Sequence, residues 1–196
     1  MAVLREEDLD PDPIRQFRRW HQEAATDAMM VATATPGGVP SGRVVLLKEV
    51  DHRGFVFYTS YESAKAADLR ANPRAALVFH WPPVRQVRVG GAVHGVSRQE
   101  TEAYWRTRPR PSQIGAWASH QSAVIAGRQV LEDRVAELVE RFDDSGDAEV
   151  PCPPSWGGYR VVPDWIEFWH HQEDRLHDRL RYRRAGDAWI LERLAP

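Results

Sequence analysis

Two cations at the ends of a short apolar run could bind anions. Residues 43–48 read RVVLLK, with Arg43 and Lys48 five residues apart. Side chains alternate between the faces of a strand, which predicts that Arg43 and Lys48 point to opposite sides. They could hold two different anions, or be the solvated ends of a strand. Of the 26 basic residues only Lys48 and Lys65 are lysine, whose compact charge suits an anion.

A second candidate anion site lies within residues 55–66, where a predicted strand leads into a helix. The N-terminus of a helix has free N–H groups and the positive end of the helix dipole, which together bind phosphate. Thr59, Ser60 and Ser63 add hydroxyl groups there, and Lys65 adds a cation in the first turn.

A third constellation combines Tyr104, Arg108, Arg110 and Ser112 within nine residues. A phenol, two guanidinium groups and a hydroxyl group could clamp a phosphate monoester. The alternative is a helix end whose cations complement the helix dipole.

Residues 173–179 are the fourth candidate site, and they include Arg175, His177 and Arg179. If residues 175–179 are extended, these three side chains share one face, and His177 could act as a general base. A mixed charge run of this kind could equally be a solvated surface.

Metal and disulfide sites are not expected. Cys152 is the only cysteine, which excludes an internal disulfide and a thiolate cluster. His170 and His171 are adjacent and would point apart on a strand, so a metal site shared with His177 is not predicted.

Composition excludes several classes of protein. The 196 residues carry a net charge of −2, and the pI of about 6.4 argues against a nucleic-acid binder. The longest apolar runs are far shorter than a membrane span of about 20 residues. The acidic start of the chain lacks the apolar segment of a signal peptide, so a cytoplasmic protein is expected. Residues 1–196 are expected to form one domain, with 1–12 as a flexible arm.

Strands that arrive mainly as hairpins predict a mainly β fold, an antiparallel barrel with flanking helices. A GG pair within 84–96 predicts a β-bulge, and S97-R-Q-E100 fits a helix capping box. The first three strands are expected to form a meander, and residues 143–156 a loop. Helices are predicted over 13–25, from about 65 to 72, and over 97–106, 112–119 and 123–142. Strands are predicted over 29–35, 42–50, 55–59, 74–81, 84–96, 158–162, 165–169, 178–183 and 188–194.

Together these segments resemble the pyridoxine/pyridoxamine 5′-phosphate oxidase family, over about residues 12–196. The motifs that carry the resemblance are RVVLLK at 43–48, FYT at 57–59, RQV at 85–87, RPR at 108–110, SQIGAW at 112–117, QS at 121–122, IEFW at 166–169, RLHDR at 175–179 and RLAP at 193–196.

The resemblance implies a Greek-key, FMN-binding split β-barrel and a homodimer with FMN at the subunit interface. Lys48, Tyr104, Arg108 and Ser112 would hold the substrate phosphate, and the catalytic residues Arg175 and His177 would lie over the pyridine ring. The implied FMN contacts are Arg43, Val44, Val45, Leu46, Leu47, Lys48, Tyr58, Thr59, Lys65, Gln86, Gln121, Ser122, Trp169 and Arg179.

The implied reaction oxidises the 4′ carbon of pyridoxamine or pyridoxine 5′-phosphate, a small phosphorylated pyridine. Hydride passes to FMN, dioxygen reoxidises it with release of hydrogen peroxide, and the product is pyridoxal 5′-phosphate. No nucleic-acid or membrane partner is implied. The alternatives are a related flavin oxidase with another flat substrate, of the phenazine-biosynthesis type, and a non-catalytic protein that binds flavin or pyridoxal phosphate.

Overall fold

One antiparallel sheet of nine strands is the scaffold of the chain, which the computed structural model describes over residues 3–143 and 149–196. In chain order the elements are α1 (Pro13–Gln22), β1 (Ala28–Ala34), β2 (Pro40–Leu46), β3 (Glu49–Asp51), β4 (Gly54–Ser60), α2 (Ala64–Ala71), β5 (Arg74–Trp81), β6 (Arg85–Gly95), α3 (Arg98–Arg106), α4 (Arg110–Ala118), α5 (Gln129–Asp143), β7 (Trp156–His170), β8 (Asp178–Ala185) and β9 (Ala188–Arg193).

The sheet curls into a split barrel. Its main path runs β2-β1-β5-β6-β7-β4-β3, and β8 extends from β7 to β9. The two end strands of this path, β2 and β3, are joined by only two residues. The Leu47 amide donates to the Asp27 carbonyl and the Lys48 amide to the Val56 carbonyl, each at 2.9 Å, so the chain crosses from one end of the path to the other. The predicted antiparallel barrel is confirmed.

The predicted strand over 42–50 and the predicted meander are wrong at this crossing. The strand breaks after Leu46, and β4 pairs with β3 and β7 rather than with β2. The break depends on hydrogen bonds to Asp27 and Val56, which are distant in sequence and leave no local signal.

A β-bulge bends the long strand pair β6–β7, and it confirms the bulge predicted from the two adjacent glycines. The register shifts between Gly90 and Gly91, opposite Pro163. A Cβ at Gly91 would lie 1.9 Å from the Val162 carbonyl oxygen, so the close approach of the two backbones requires glycine. A proline without an amide proton is tolerated at a bulge, which explains why β7 is one strand where two were predicted.

The helices start close to where their capping residues predict. The Asp12 side chain accepts from the Ile14 amide, and the Ser97–Glu100 capping box at α3 is confirmed. Helix α1 ends at Gln22, earlier than predicted, and α5 begins at Gln129 rather than at 123. Within the predicted loop 143–156, residues 144–148 lie outside the described residues. No helix in the described part of the chain has the length and apolarity needed to cross a membrane.

The N-terminal segment packs against the last hairpin. The Leu4 amide donates to Asp178 at 2.9 Å, Arg193 pairs with Glu6 at 2.9 Å, and the Tyr182 hydroxyl donates to the Asp10 carbonyl. These bonds correct the expectation of a flexible arm for residues 4–10. Residues 1 and 2 lie outside the described residues.

Candidate active site

A cavity of about 1000 Å³ opens between β2, β4, the start of α2, and the helices α3 and α4. Its lining includes fourteen of the residues predicted from the sequence: Arg43, Val44, Val45, Leu46, Lys48, Tyr58, Thr59, Ser60, Lys65, Tyr104, Arg108, Ser112, Gln121 and Ser122.

Two sequence predictions about this region need correction. Arg43 and Lys48 do not serve two sides of one strand, because β2 ends before Lys48 and both residues line the same cavity. Leu47 is absent from the lining, since its side chain is buried in the hydrophobic core.

Lys65 lines the cavity beside Thr59 and Gln121, a part called here the Lys65 end, and is only 6% exposed. Its Nζ donates to Thr59 Oγ1 at 2.9 Å, Ser63 Oγ at 3.2 Å and Gln121 Oε1 at 3.3 Å, all of them neutral oxygens. No carboxylate in the described ranges pairs with it. Burial, and then the nearby charge of Arg43, lower the pKa of Lys65. A buried cation without a counter-ion is costly, and an anion in the cavity would relieve that cost.

Arg43 stands beside Lys65 and is fixed by its neighbours. Its guanidinium donates to Thr33 Oγ1 at 2.7 Å and to Ser41 Oγ at 2.6 Å. Asp68 lies 4.0 Å away and also accepts from Thr33 at 2.6 Å. The carboxylate therefore orients Arg43 but leaves Lys65 unneutralised.

A short loop after α4 completes this end of the cavity. Gln121 Oε1 accepts from Thr59 at 3.0 Å, and Ser122 Oγ accepts from the first amide of α2, at Ala64, at 3.2 Å. Ser122 has a left-handed backbone with φ of 75°. The predicted combination of helix start, hydroxyl groups and lysine is thus assembled, with residues 121–122 added from a distant part of the chain.

Arg108 lines the cavity beside Trp156 and Ser112, a part called here the Arg108 end. Its guanidinium lies over the rings of Trp105 at 5.0 Å and Trp156 at 4.5 Å, and its Nη2 donates to the Ser112 carbonyl at 2.9 Å. Its Nη1 is buried and has no hydrogen-bond partner among the described residues. Burial lowers the pKa of Arg108. An acceptor bound in the cavity would satisfy this donor.

Aromatic rings form the wall next to Arg108. Tyr58 stacks on Tyr104 at 4.1 Å and on Trp156 at 5.4 Å. Burial raises the pKa of Tyr58 to about 12. Trp156 was missed in the sequence because it follows a proline-rich segment, and it is the residue on which Arg108 rests. Arg110, in contrast, donates to the Phe142 carbonyl at 2.8 Å and is not among the residues that line the cavity.

Glu100 anchors the helix that carries Tyr104. It accepts from the Ser97 amide and hydroxyl at 3.0 and 2.8 Å, and from Arg53 and Arg160 at 3.0 and 3.3 Å. The hydrogen bonds from Ser97 and the guanidinium of Arg53 lower its pKa to about 2. The capping box thus ties α3 to the barrel through Arg160 on β7.

A second group of predicted residues lies on β6, β7 and β8 and does not line the cavity of the same chain. Gln86 is directly opposite Trp169, and Trp169 is opposite Arg179, so the three stand in one row. The His177 ring lies 4.6 Å from that of Trp169. Arg179 donates to the buried Glu167 at 2.8 Å.

The condition that residues 175–179 are extended, under which Arg175, His177 and Arg179 would share one face, is not met. Residues Glu173–Arg175 form a short 3-10 turn in which Asp174 and Arg175 have φ values of 54° and 62°. The strand β8 begins only at Asp178. In the described ranges no group of three or more His, Cys, Asp and Glu side chains could hold a metal ion.

Two protein-family models match the chain. A family model described as pyridoxamine 5′-phosphate oxidase matches residues 15–141. A second, described as the pyridoxine 5′-phosphate oxidase C-terminal dimerisation region, matches residues 156–196. The chain belongs to the pyridoxamine 5′-phosphate oxidase family. The resemblance predicted from the motifs is therefore confirmed.

Individual members of the family are similar over the whole chain. A pyridoxine/pyridoxamine 5′-phosphate oxidase of Rubrobacter xylanophilus is 54% identical over 202 residues, covering 100% of this chain and 92% of that protein. The crystal structure of PhzG from Burkholderia lata 383, in complex with tetrahydrophenazine-1-carboxylic acid, has a TM-score of 0.91 and 33% identity, covering 100% and 99% of the two chains.

A more distant structure supports the fold. A pyridoxamine 5′-phosphate oxidase-related, FMN binding protein of Nostoc punctiforme has a TM-score of 0.70 at 17% identity, covering 92% of this chain and 93% of its own. The residues matched by the first family model include Lys65 and Arg108. The residues matched by the second, the dimerisation region, include Trp169, Arg175, His177 and Arg179.

Proposed function

We propose that the chain is an FMN-dependent oxidase that converts pyridoxamine or pyridoxine 5′-phosphate to pyridoxal 5′-phosphate. The observation that carries this proposal is that one cavity is lined by two cations, Lys65 and Arg108, for which the described residues provide no carboxylate partner. A flavin mononucleotide and a phosphorylated pyridine each bring one phosphate, so the pair of cations suits the pair of ligands.

The residues at the Lys65 end fit FMN. Its phosphate would be held by Arg43 and Lys65 and by the hydroxyl and amide groups around the start of α2. Leu47 is left out because its side chain is buried in the core. The other residues assigned to FMN are Val44, Val45, Leu46, Lys48, Tyr58, Thr59, Gln86, Gln121, Ser122, Trp169 and Arg179.

The residues at the Arg108 end would hold the substrate. Arg108, Tyr104, Ser112 and Lys48 provide two cations and two hydroxyl donors for its phosphate, and Arg108 is held in place by Trp105 and Trp156. When bound, FMN supplies a hydride acceptor that dioxygen can reoxidise. The protein itself binds, orients and desolvates the reacting groups, and Arg175 and His177 would contact the pyridine ring.

We propose that two protomers share each site in a homodimer, each protomer being a single domain. This follows from the separation of the predicted residues into the cavity and the row on β6–β8, which do not meet within one chain. The match of residues 156–196 to a dimerisation region supports the same assembly. The second protomer would contribute Gln86, Trp169, Arg175, His177 and Arg179.

A visible spectrum under anaerobic conditions tests the reaction. The flavin absorption should bleach on addition of pyridoxamine 5′-phosphate and return in air, with release of hydrogen peroxide and pyridoxal 5′-phosphate. A protein that takes up no FMN would contradict the proposal.

The similarity to PhzG favours a second candidate, an oxidase of reduced phenazine precursors. A flavin that bleaches only with tetrahydrophenazine-1-carboxylic acid would establish that candidate, and one that bleaches with neither would favour a binding protein.

Mixed dimers test whether the site is shared. A Lys65→Met protomer and an Arg175→Leu protomer, co-expressed with two different tags, should form a doubly tagged dimer with one intact site and one doubly altered site. About half the activity of a doubly tagged wild-type dimer is expected, although each variant homodimer is nearly inactive. An inactive mixed dimer would show that Lys65 and Arg175 serve the same protomer's site.

A further inference from the structure

The connection between β7 and β8 is held by the side chain of Gln172. His170 and Asp178 form the last cross-strand pair before this connection. Gln172 Nε2 donates to Asp178 Oδ2 at 2.8 Å and lies 3.4 Å from His170 Nδ1, so it spans the two strand ends. The neighbouring His171 amide donates to the Val84 carbonyl at 2.8 Å. The backbone at 171–172 is therefore fixed from two sides.

This fixed backbone forms a hydrogen bond with the ring of His177. The Gln172 amide donates to His177 Nδ1 at 3.1 Å. The ring itself contacts the rings of Trp169 and His171, with centroid distances of 4.6 and 5.1 Å. The orientation of the imidazole is thus set by two rings and one hydrogen bond.

The direction of that hydrogen bond decides where the proton of His177 lies. A backbone amide can only donate, so Nδ1 must offer its lone pair. In a neutral imidazole the single proton is then on Nε2. No described residue forms a hydrogen bond with Nε2, which leaves that N–H available to a ligand.

We propose that Gln172 is a positioning residue that holds His177 as the Nε2–H tautomer. His177 would then act toward the bound substrate as a hydrogen-bond donor and not as a proton acceptor. The substrate atom that it meets must carry a lone pair, as a ring oxygen substituent or a ring nitrogen does. The role toward substrate rests on the proposed function, but the tautomer is a property of the free protein.

Nitrogen-15 NMR of histidine-labelled protein tests the tautomer without any substrate. The His177 signals, assigned by their loss in His177→Gln, should show a protonated Nε2 and an unprotonated Nδ1 at alkaline pH. In Gln172→Ala they should shift toward a mixture of tautomers. Glu173→Gln is the matched control, since its exposed side chain has no hydrogen-bond partner among the described residues, and it should leave the signals unchanged. A protonated Nδ1 in the wild type, or no change in Gln172→Ala, would overturn the proposal.

Turnover of flavin-loaded variants tests the consequence. His177→Gln keeps an N–H donor near the position of Nε2, whereas His177→Leu keeps none. We expect kcat to fall by less than about tenfold in the first and by about a hundredfold in the second. Equal losses in both variants would identify His177 as a proton acceptor. If no substrate turns over at all, the proposed function fails while the NMR result still stands.

Discussion

A Lys65→Met protein is expected to lose its flavin and to become more stable. In the free protein the ammonium of Lys65 is buried among neutral oxygens, so removing the charge removes a cost. We expect the free energy of unfolding of the flavin-free protein to rise by about 1 kcal/mol, which corresponds to a Tm increase of about 2–4 °C. Affinity for FMN should fall by about a hundredfold or more, because a charge-assisted contact to the phosphate is lost.

The stability of the flavin-free protein should depend on pH, in a direction set by the pKa of Lys65. Burial lowers the pKa of Lys65 in the folded state, so as the pH rises the folded protein releases this proton before the unfolded chain does. The stability of the flavin-free wild type should therefore rise with pH through that window, and the advantage of Lys65→Met should shrink.

Thermal unfolding and flavin titration of the flavin-free proteins measure both effects. Arg70→Met is the matched control, because Arg70 lies on the same helix α2 but is exposed and donates to the Tyr61 carbonyl outside the cavity. It should keep its flavin. A Lys65→Met protein that binds FMN normally would show that the cofactor phosphate lies elsewhere.

An Arg108→Met protein should keep its flavin and lose its substrate. Arg108 offers a buried Nη1 that no described residue accepts, and the substrate phosphate is the acceptor assigned to it. We expect kcat/KM for pyridoxamine 5′-phosphate to fall by about a hundredfold, mainly through KM. The preference for phosphorylated over unphosphorylated substrate should fall with it.

Steady-state kinetics with both forms of the substrate measure this loss. Arg106→Met is the control, since Arg106 is only two residues away, at the end of α3, but pairs with Glu149 at 3.3 Å on the surface. A KM that does not change in Arg108→Met would contradict the assignment, as would equal losses for the two substrates.

Local signals in the sequence predicted local structure well. Asp12, Ser97 with Glu100, and the glycine pair at 90–91 each act within a few residues or demand one backbone geometry, so their roles could be predicted. The residue types that line the cavity were also recognised, because clustered cations and hydroxyl groups are unusual in an apolar strand and at a helix start.

Features that depend on distant partners were not predicted correctly. The break of the strand at Leu47 and Lys48 depends on bonds to Asp27 and Val56. The position of Arg175 depends on a left-handed turn, although no glycine marks it. Residues that support a neighbour, such as Asp68 beside Arg43, carry no pattern of their own.

The contacts between residues 4–10 and the last hairpin also bear on how the chain is made. The partners of Leu4 and Glu6, which are Asp178 and Arg193, are synthesised some 170 or more residues after them. At about 5–20 residues per second, the first segment waits many seconds for the strands that hold it. The hairpin that completes this contact also carries Arg179, so this candidate site residue is synthesised together with the strands that hold residues 4–10.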